Sequence, residues 1–257
     1  MSDLTLRVLS YNIHKGFSTG NQRFVLNLIK ESIRPLGANL VFLQEVIGEH
    51  QLHAARVKEW PTQSQFEYLA DDIWSHYAYG KNAVYSSGHH GNAILSAFPI
   101  INWSNSNIST NQLESRGLLH AVVEIPLCAD TQSSPTIVHC FCVHLSLFQQ
   151  GRERQIKNIA HIIMSEVGPD APFILAGDFN DWRGYASKVL EELTGATEVF
   201  NVQLGAHART YPAALPFLRL DRIYTRGMRI ENVCSLAGNP WNRLSDHIAL
   251  FAELKLF

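Results

Sequence analysis

The chain has 257 residues, 46% of them apolar and 17% charged, and its 21 Lys and Arg against 23 Asp and Glu leave a formal net charge of −2. That balance excludes disorder, collagen and coiled coil, and a chain this long buries roughly 70–75% of the surface its unfolded form exposes without disulfides or a structural metal. Charge is even along it, 9 basic against 10 acidic residues up to Cys128 and 12 against 13 beyond, so no tail or lobe carries one sign and bulk charge does not announce nucleic acid.

Leu4–Ser10 opens the chain as an apolar run with β character. A weak helical pattern over Arg23–Ile33 precedes a second strand at Leu40–Gln44, and another over Gln65–Tyr77 precedes a third at Asn92–Ser96. Trp103–Ser115 reads as a long loop. Strands follow at Leu118–Ile125 and Thr136–His144, with Ala129–Ser134 as a loop between them. The clearest helix is Arg152–Val167, where Ile156, Ile159, Ala160, Ile163 and Val167 follow the helical period and Gly168-Pro169 stops it. Phe173–Ala176 is a strand, Tyr185–Leu193 a helix ended by Gly195, and Leu220–Thr225 and His247–Leu254 are the last strands. Several strand runs are continuous rather than alternating, as expected of strands covered on both faces. The alternation predicts an α/β protein with layered sheets and helices. No linker or repeat divides it, so residues 1–257 read as one domain.

No run approaches the roughly 18 apolar residues of a membrane span, and the N-terminus leaves no room for a secretory apolar segment, so a cytoplasmic location is expected. Cys128, Cys140, Cys142 and Cys234 form no CxxC pair and are expected to be buried free thiols. Six arginines between Arg209 and Arg243 stand against Asp221 and Glu231, a local basic surface suited to an anionic substrate.

The chemistry lies at strand ends. Leu4–Ser10 leads into Tyr11-Asn12-Ile13-His14, Leu40–Gln44 into Glu45, Thr136–Val143 into His144, Phe173–Gly177 into Asp178-Phe179-Asn180, Leu218-Arg219-Leu220 into Asp221, and Ser245-Asp246-His247 precedes the last strand. One carboxylate in such a place is a solvated loop residue or a cap; six polar endings together point to use, because carboxylates are costly to bury unless paired or metal-bound. Glu45, Asp178, Asn180 and Asp246 are hard oxygen donors, suited to Mg²⁺ or Mn²⁺, and no Cys/His spacing suggests zinc. Hard metal, carboxylates, amides and two histidines fit phosphate-ester hydrolysis. Arg219 is expected on the face of Asp221, able to bind phosphate, and Arg222 on the opposite, solvated face. His14 and Lys15 are placed to reach a phosphate. His89-His90 is expected to be solvent-exposed, His120 and His139 to pack within strands, and Trp182 and Trp241 to line the substrate mouth.

Eight ordered motifs, Tyr11-Asn12-Ile13-His14-Lys15-Gly16, Leu43-Gln44-Glu45-Val46, Gly91 to Ser96, Glu114-Ser115-Arg116-Gly117, Val143-His144-Leu145, Gly177-Asp178-Phe179-Asn180, Leu220-Asp221-Arg222-Ile223-Tyr224 and Ser245-Asp246-His247, resemble the endonuclease/exonuclease/phosphatase superfamily. The resemblance implies a deoxyribonuclease I-like four-layer α/β sandwich with the site at one edge. By position, it implies Glu45 as the main metal ligand flanked by Asn12 and Asp246, with Mg²⁺ or Mn²⁺ as cofactor. Asp178 would activate the attacking water, Asn180 would hold the phosphate, and His247, braced by Asp221, would stabilise the transition state. His144 would be acid or phosphate ligand, and Arg116 a structural or phosphate-side arginine. The implied activity is phosphodiester hydrolysis, with DNA or RNA the leading substrate and a phospholipid, sphingomyelin or inositol-phosphate headgroup the alternative. A non-catalytic binding protein on the same fold is disfavoured, since every one of these site residues is present.

Overall fold

Two six-stranded mixed sheets lie face to face with helices on their outer faces, in a computed structural model that describes residues 4–71, 73–126 and 134–256. The first sheet contains β1 (Thr5–Asn12), β2 (Leu40–His50), β3 (His76–Tyr85) and β4 (Gly88–Ser96). The second contains β5 (Ile100–Asn107), β6 (Gly117–Ile125), β7 (Thr136–His144), β8 (Phe173–Asp178), β9 (Thr197–Glu198) and β10 (Asp221–Arg226). The chain then returns to the first sheet as β11 (Met228–Ser235) and β12 (Leu250–Leu256). The orders are β11-β12-β1-β2-β4-β3 and β5-β6-β7-β8-β10-β9. Helices α1 (Leu26–Ile33), α2 (Gln51–Arg56) and α3 (Gln65–Ala70) belong to the first half, and α4 (Gln149–Glu166), α5 (Tyr185–Thr194) and α6 (Val199–Leu204) to the second.

This layering explains the continuous apolar runs. Along β1, Leu6 and Val8 enter the core between the sheets, while Leu9 and Tyr11 face the helix side with Leu26, Ile29 and Ile33 of α1. Along β7, Cys140 and Cys142 face the other sheet and Phe141 and Val143 face Ile156 and Ile159 of α4. Period-two alternation then reads as apolar throughout, because both faces are buried.

The eight expected strands are the eight interior strands, and the four edges, β3, β5, β9 and β11, carry no such signal. Trp103–Asn107, expected in a loop, belongs to β5, an exposed polar edge whose side chains had no core to satisfy. The helix expected over Gln65–Tyr77 stops at Ala70: a Ser64/Glu67 capping box starts it, Asp71 at φ 43° ends it, and Tyr77 lies in β3. The last strand begins at Leu250 rather than His247. Cys140 and Cys142 are buried free thiols, whereas Cys234, on edge strand β11, is exposed. Cys128 and residues 129–133 of the expected loop lie outside the described residues. Among the described residues, no helix is long and apolar enough to cross a membrane.

Each sheet contains one parallel pair, β1 with β2 and β7 with β8, and the rest is antiparallel. In register, Asn12 pairs with Gln44 and His144 with Asp178, so both parallel pairs end at site residues. The antiparallel neighbour β10 starts beside that end, Asp221 opposite Asp178. Carboxyl ends of parallel strands leave a crevice where ligands of α/β proteins are held.

Candidate active site

The two sheets are stitched at this end by buried polar side chains. Asn12 Nδ2 donates to Asp178 Oδ2 (3.2 Å) and Gln44 Nε2 to Cys142 Sγ (3.3 Å), each crossing from one sheet to the other. Ser245 Oγ donates to the Asn12 carbonyl (2.7 Å) and accepts the His247 N–H (3.3 Å). Buried Thr210 accepts the N–H groups of Leu220 and Asp221 on its hydroxyl (3.3 Å each), and its carbonyl accepts the Ile248 N–H (2.8 Å). The Thr210-Tyr211-Pro212 segment thus fixes the approach to both Asp221 and His247.

Backbone strain concentrates here. Non-glycine residues in the left-handed region include His14, Lys15, Glu45 and Asn180. Glu45 does not end a strand as expected; it lies inside β2 at φ 56°, where the register with β4 slips between Leu43 and Val46. The bulge turns its carboxylate out of the pleat and into the cleft.

That cleft, about 460 Å³, is lined by Glu45, Asp178, Asn180, Asp246, His144, His247 and Arg116, together with Lys15, His90, Trp182 and Tyr211. Asp178 is its centre. Its Oδ1 accepts the Asn180 N–H (3.0 Å), and its Oδ2 lies 3.6 Å from His144 Nε2 and 3.7 Å from His247 Nε2. Asn180 Nδ2 donates to the Leu145 carbonyl (3.1 Å), tying the β8 end to the β7 end. Behind His247, Asp221 Oδ2 accepts from its Nδ1 (2.9 Å).

Burial alone pulls the His247 imidazole down, but Asp221, Asp178 and Asp246 outweigh it and raise the group to about 10, so it is an imidazolium at neutral pH. His144 goes the other way: burial, helped by Arg116, outweighs Asp178 and Glu45 and holds it at about 4, a neutral imidazole. Burial raises Glu45, yet surrounding His144, Lys15 and His14 lower it to about 2. With His144 neutral above about pH 4, Lys15, whose Nζ lies 3.1 Å from Glu45 Oε2, is the ion-pair partner of Glu45 at neutral pH. Burial and Lys15 likewise lower His90 to about 4.

Of the expected metal set, Glu45 and Asp246 line the cleft and Asn12 lies behind it, hydrogen-bonded to Asp178. Among the described residues, the three carboxylate and imidazole groups that come within 4.8 Å of one another are Asp178, Asp221 and His247. His247 is hydrogen-bonded to Asp221 and ion-paired with Asp178, so this trio is held by its own charges. At the Glu45 end the donors are carboxylate and carboxamide oxygens, the chemistry of a hard divalent cation, and Glu45 already takes a cationic partner in Lys15.

Other expectations change. Arg116 lines the cleft, its NH2 3.4 Å from Glu114 Oε1 and its buried Nε without a hydrogen-bond partner. His14 lies beside it, Nδ1 3.8 Å from Asp246 Oδ1. Arg219 is not brought into the cleft, because β10 begins only at Asp221 and strand alternation does not extend back to it. Arg222 is fully buried rather than solvated, donating to the carbonyls of Arg219 (2.6 Å) and Asp181 (2.7 Å). Trp182 lines the cleft, but Trp241 is buried edge-on against Tyr11, ring centroids 5.8 Å apart. His90, expected in solvent, is half-buried in β4 and faces the cleft; a Ser/Gly-rich flank hid a strand. Tyr211, whose ring lies 5.0 Å from that of His247, joins the cleft without having been singled out from the sequence.

The family model described as Endonuclease/Exonuclease/phosphatase family matches residues 9–247. The chain belongs to the endonuclease/exonuclease/phosphatase family. Within it, the protein is 41% identical over 252 residues to the Escherichia coli K12 protein named Uncharacterized protein YbhP, spanning 98% of this chain and 97% of that one. Its fold is shared with a Beutenbergia cavernae family member (TM-score 0.75, 19% identity, 98% of this chain and 72% of that one). It is shared too with D. rerio TDP2, both humanized (TM-score 0.72, 20% identity) and complexed with single-strand DNA product (0.69, 19%), each covering 97% of this chain and 98% of TDP2. A third is the Bacteroides thetaiotaomicron mannosyl-6-phosphatase Bt3783 (0.68, 16%, 97% of this chain and 99% of that one). Two packed mixed sheets with helices outside are the fold of this family, as the motifs implied.

Proposed function

We propose that this family member is a divalent-metal-dependent phosphodiesterase working in the Asp178 cleft. The carrying observation is the buried line Asp221–His247–Asp178, which sets an imidazolium beside a carboxylate at the floor of a cleft also lined by Glu45, Asn180 and Arg116. Glu45 would hold Mg²⁺ or Mn²⁺, with Asp246 and Asn12 flanking it; bound there, the cation supplies charge neutralisation for phosphoryl oxygens. Contributions from both halves to one cleft support reading residues 1–257 as one domain.

The chain's own residues divide the work. Asp178, held by the Asn12 amide and the Asn180 backbone, orients a water and takes its proton as the water oxygen bonds phosphorus and the ester P–O bond breaks, the departing alkoxide taking a proton from solvent and leaving as the alcohol. His247, kept charged by Asp221, stabilises the negative charge that develops on the phosphoryl oxygens. Neutral His144 contributes an N–H without charge. Asn180, with one amide N–H committed to Leu145, has a second for the phosphate. Arg116 and Lys15 supply further cations.

Sequence resemblance favours DNA or RNA as substrate, and the likeness to a TDP2 complexed with DNA product supports it at the level of fold. The near-even charge favours instead a lipid or inositol-phosphate headgroup, since nucleic-acid affinity rests on many Lys and Arg contacts to phosphate. The test is hydrolysis of bis(p-nitrophenyl) phosphate by purified protein with Mg²⁺, Mn²⁺ or EDTA, with plasmid, oligonucleotides, phospholipids and inositol phosphates in parallel. Metal-dependent turnover lost in Asp178→Ala is expected; equal inactivity of both proteins on every ester would sink the reading in favour of a binding protein.

A further inference from the structure

Lys15 reaches Glu45 from a turn whose backbone is costly to hold. His14, Lys15 and Gly16 follow one another at φ 45°, 58° and 78°, all in the left-handed region that residues with side chains rarely adopt. Hydrogen bonds fix each step: the His14 N–H donates to Asn12 Oδ1 (3.1 Å), the Gly16 N–H to the Ile13 carbonyl (2.8 Å), and the Lys15 carbonyl accepts from Gln65 Nε2 (2.7 Å). Gln65, buried at the start of α3, also accepts the Ile47 N–H on its Oε1 (2.9 Å), two residues beyond Glu45. One side-chain amide thus ties the Lys15 backbone to the β2 bulge that carries Glu45. The Lys15 side chain is not tied in this way: it is 36% exposed, and its Nζ lies 3.1 Å from Glu45 Oε2, a buried oxygen. The turn therefore combines a rigid base with a movable cationic arm, aimed at the carboxylate best placed to hold a metal.

Resting on the phosphodiesterase reading, we propose that Lys15 is a displaceable counter-ion, which leaves Glu45 when a divalent cation binds there and passes to the substrate phosphate in the same cleft. An ammonium and a divalent cation compete for one carboxylate, and side by side they repel. Lys15 gives way because its charge is single and its contact is partly open to solvent, whereas a hard divalent cation gains several oxygen ligands. The pinned backbone keeps Lys15 at the cleft after displacement, and the flexible four-carbon stem lets its ammonium swing to another anion. Arg116 and His247, the other cations of the cleft, keep carboxylate partners in Glu114 and Asp221, while Lys15 loses its own to the metal. A phosphate that takes up the released ammonium rewards the displacement. Metal and phosphate then tighten each other's binding by the same factor, through Lys15.

Mn²⁺ binding, followed by the electron paramagnetic resonance signal of the free ion, tests this without turnover. Wild type is compared with Lys15→Met and Lys15→Gln, which remove the charge, and with Lys15→Arg, which keeps it, each with and without methylphosphonate, a phosphate analogue with no ester bond to lose. The charge-removing variants are expected to bind Mn²⁺ alone about five-fold or more tightly than wild type, and Lys15→Arg to stay within about two-fold of it. Methylphosphonate is expected to tighten Mn²⁺ binding to wild type by about three-fold more than to Lys15→Met or Lys15→Gln. Mn²⁺ affinity that is unchanged or weaker in both charge-removing variants overturns the displacement. An equal effect of methylphosphonate on all four proteins overturns the transfer to phosphate. Either result leaves the phosphodiesterase reading standing, whereas no Mn²⁺ binding by any of the four removes both. The expected binding pattern without hydrolysis of any ester leaves the role of Lys15 standing and removes only the phosphodiesterase reading.

Discussion

His247 Nδ1 and Asp221 Oδ2 lie 2.9 Å apart, both groups buried, and this pair is what keeps a charged imidazole in the floor of the cleft. Asp221→Asn preserves the shape and a hydrogen-bond partner but removes the charge, so the imidazole of His247 drops from about 10 towards its ordinary range. The expected result is a fall in kcat of about 10²-fold or more with KM changed far less, because the lost interaction is with charge that develops in the transition state. Proton NMR of the His247 ring follows the titration directly. A variant with wild-type kcat would remove His247 from the role given to it here.

Glu45 is ion-paired with Lys15, and Glu45→Gln separates metal binding from turnover. For wild type, millimolar Mg²⁺ or Mn²⁺ is expected to raise Tm, since a ligand bound only by the folded state stabilises it. In Glu45→Gln that rise should vanish while the metal-free Tm stays within a few degrees, the Glu45–Lys15 pair being partly open to solvent. An undiminished metal-induced shift would move the cation away from Glu45.

Which parts of this were readable beforehand follows from burial. Interior strands such as β7 and β8 alternate between two cores, so most of their residues are apolar and the run stands out. Edge strand β5, Ile-Ile-Asn-Trp-Ser-Asn-Ser-Asn, has solvent on most of its surface; Ile100 packs on the core and the Asn105 amide bonds Asn82, too few side-chain contacts to leave an apolar run, and its polar face also blunts the edge. The site was readable where a polar residue interrupts such an apolar run, as at Glu45, Asp178 and His144. It was not readable at His90, in the first residues of β4 behind a Ser/Gly-rich flank, or at Tyr211, which no apolar strand run precedes. Arg219 and Arg222 show the same limit from the other side. Alternation was extended from a strand into the loop before it, and a buried guanidinium that donates to the backbone carbonyls of Arg219, Asp221 and Asp181 has no signature of its own.

Gly177, immediately before Asp178, has φ 146°, and a Cβ there would lie 2.0 Å from the Val143 carbonyl oxygen of the neighbouring strand. No side chain can move aside to relieve that contact, because the obstructing atom is backbone. Gly177→Ala should therefore cost more than about 3 kcal/mol or abolish folding, read from urea denaturation or from soluble yield. Gly205→Ala, another left-handed glycine but with nothing within 4 Å of the added Cβ, is the matched control and should cost about 1 kcal/mol. Equal effects of the two changes would show that strained φ, not the close approach of β7, is what this position demands.

His120 lies away from the cleft, stacked on Phe141 at 4.2 Å, with its Nε2 2.9 Å from His139 Nδ1. Burial, with His139 adding to it, lowers it from 6.5 to about 4. The folded protein therefore takes up this proton later than the unfolded chain, and more protons are bound to the unfolded state between those values. The contribution to stability is fully present above pH 6.5 and is lost as pH falls towards 4, the direction required when the unfolded state binds more protons. His120→Phe keeps an aromatic ring on Phe141 and removes the titration. Urea unfolding at pH 7 and at pH 4.5 should show the stability gap between variant and wild type shifting by about 2 kcal/mol in favour of the variant at the lower pH. Because His139 is hydrogen-bonded to His120, the same comparison in a His139→Asn background separates the titrations of the two rings. A gap that does not move with pH would mean that His120 titrates alike in the folded and unfolded chain, and that its packing on Phe141 leaves it open to protonation.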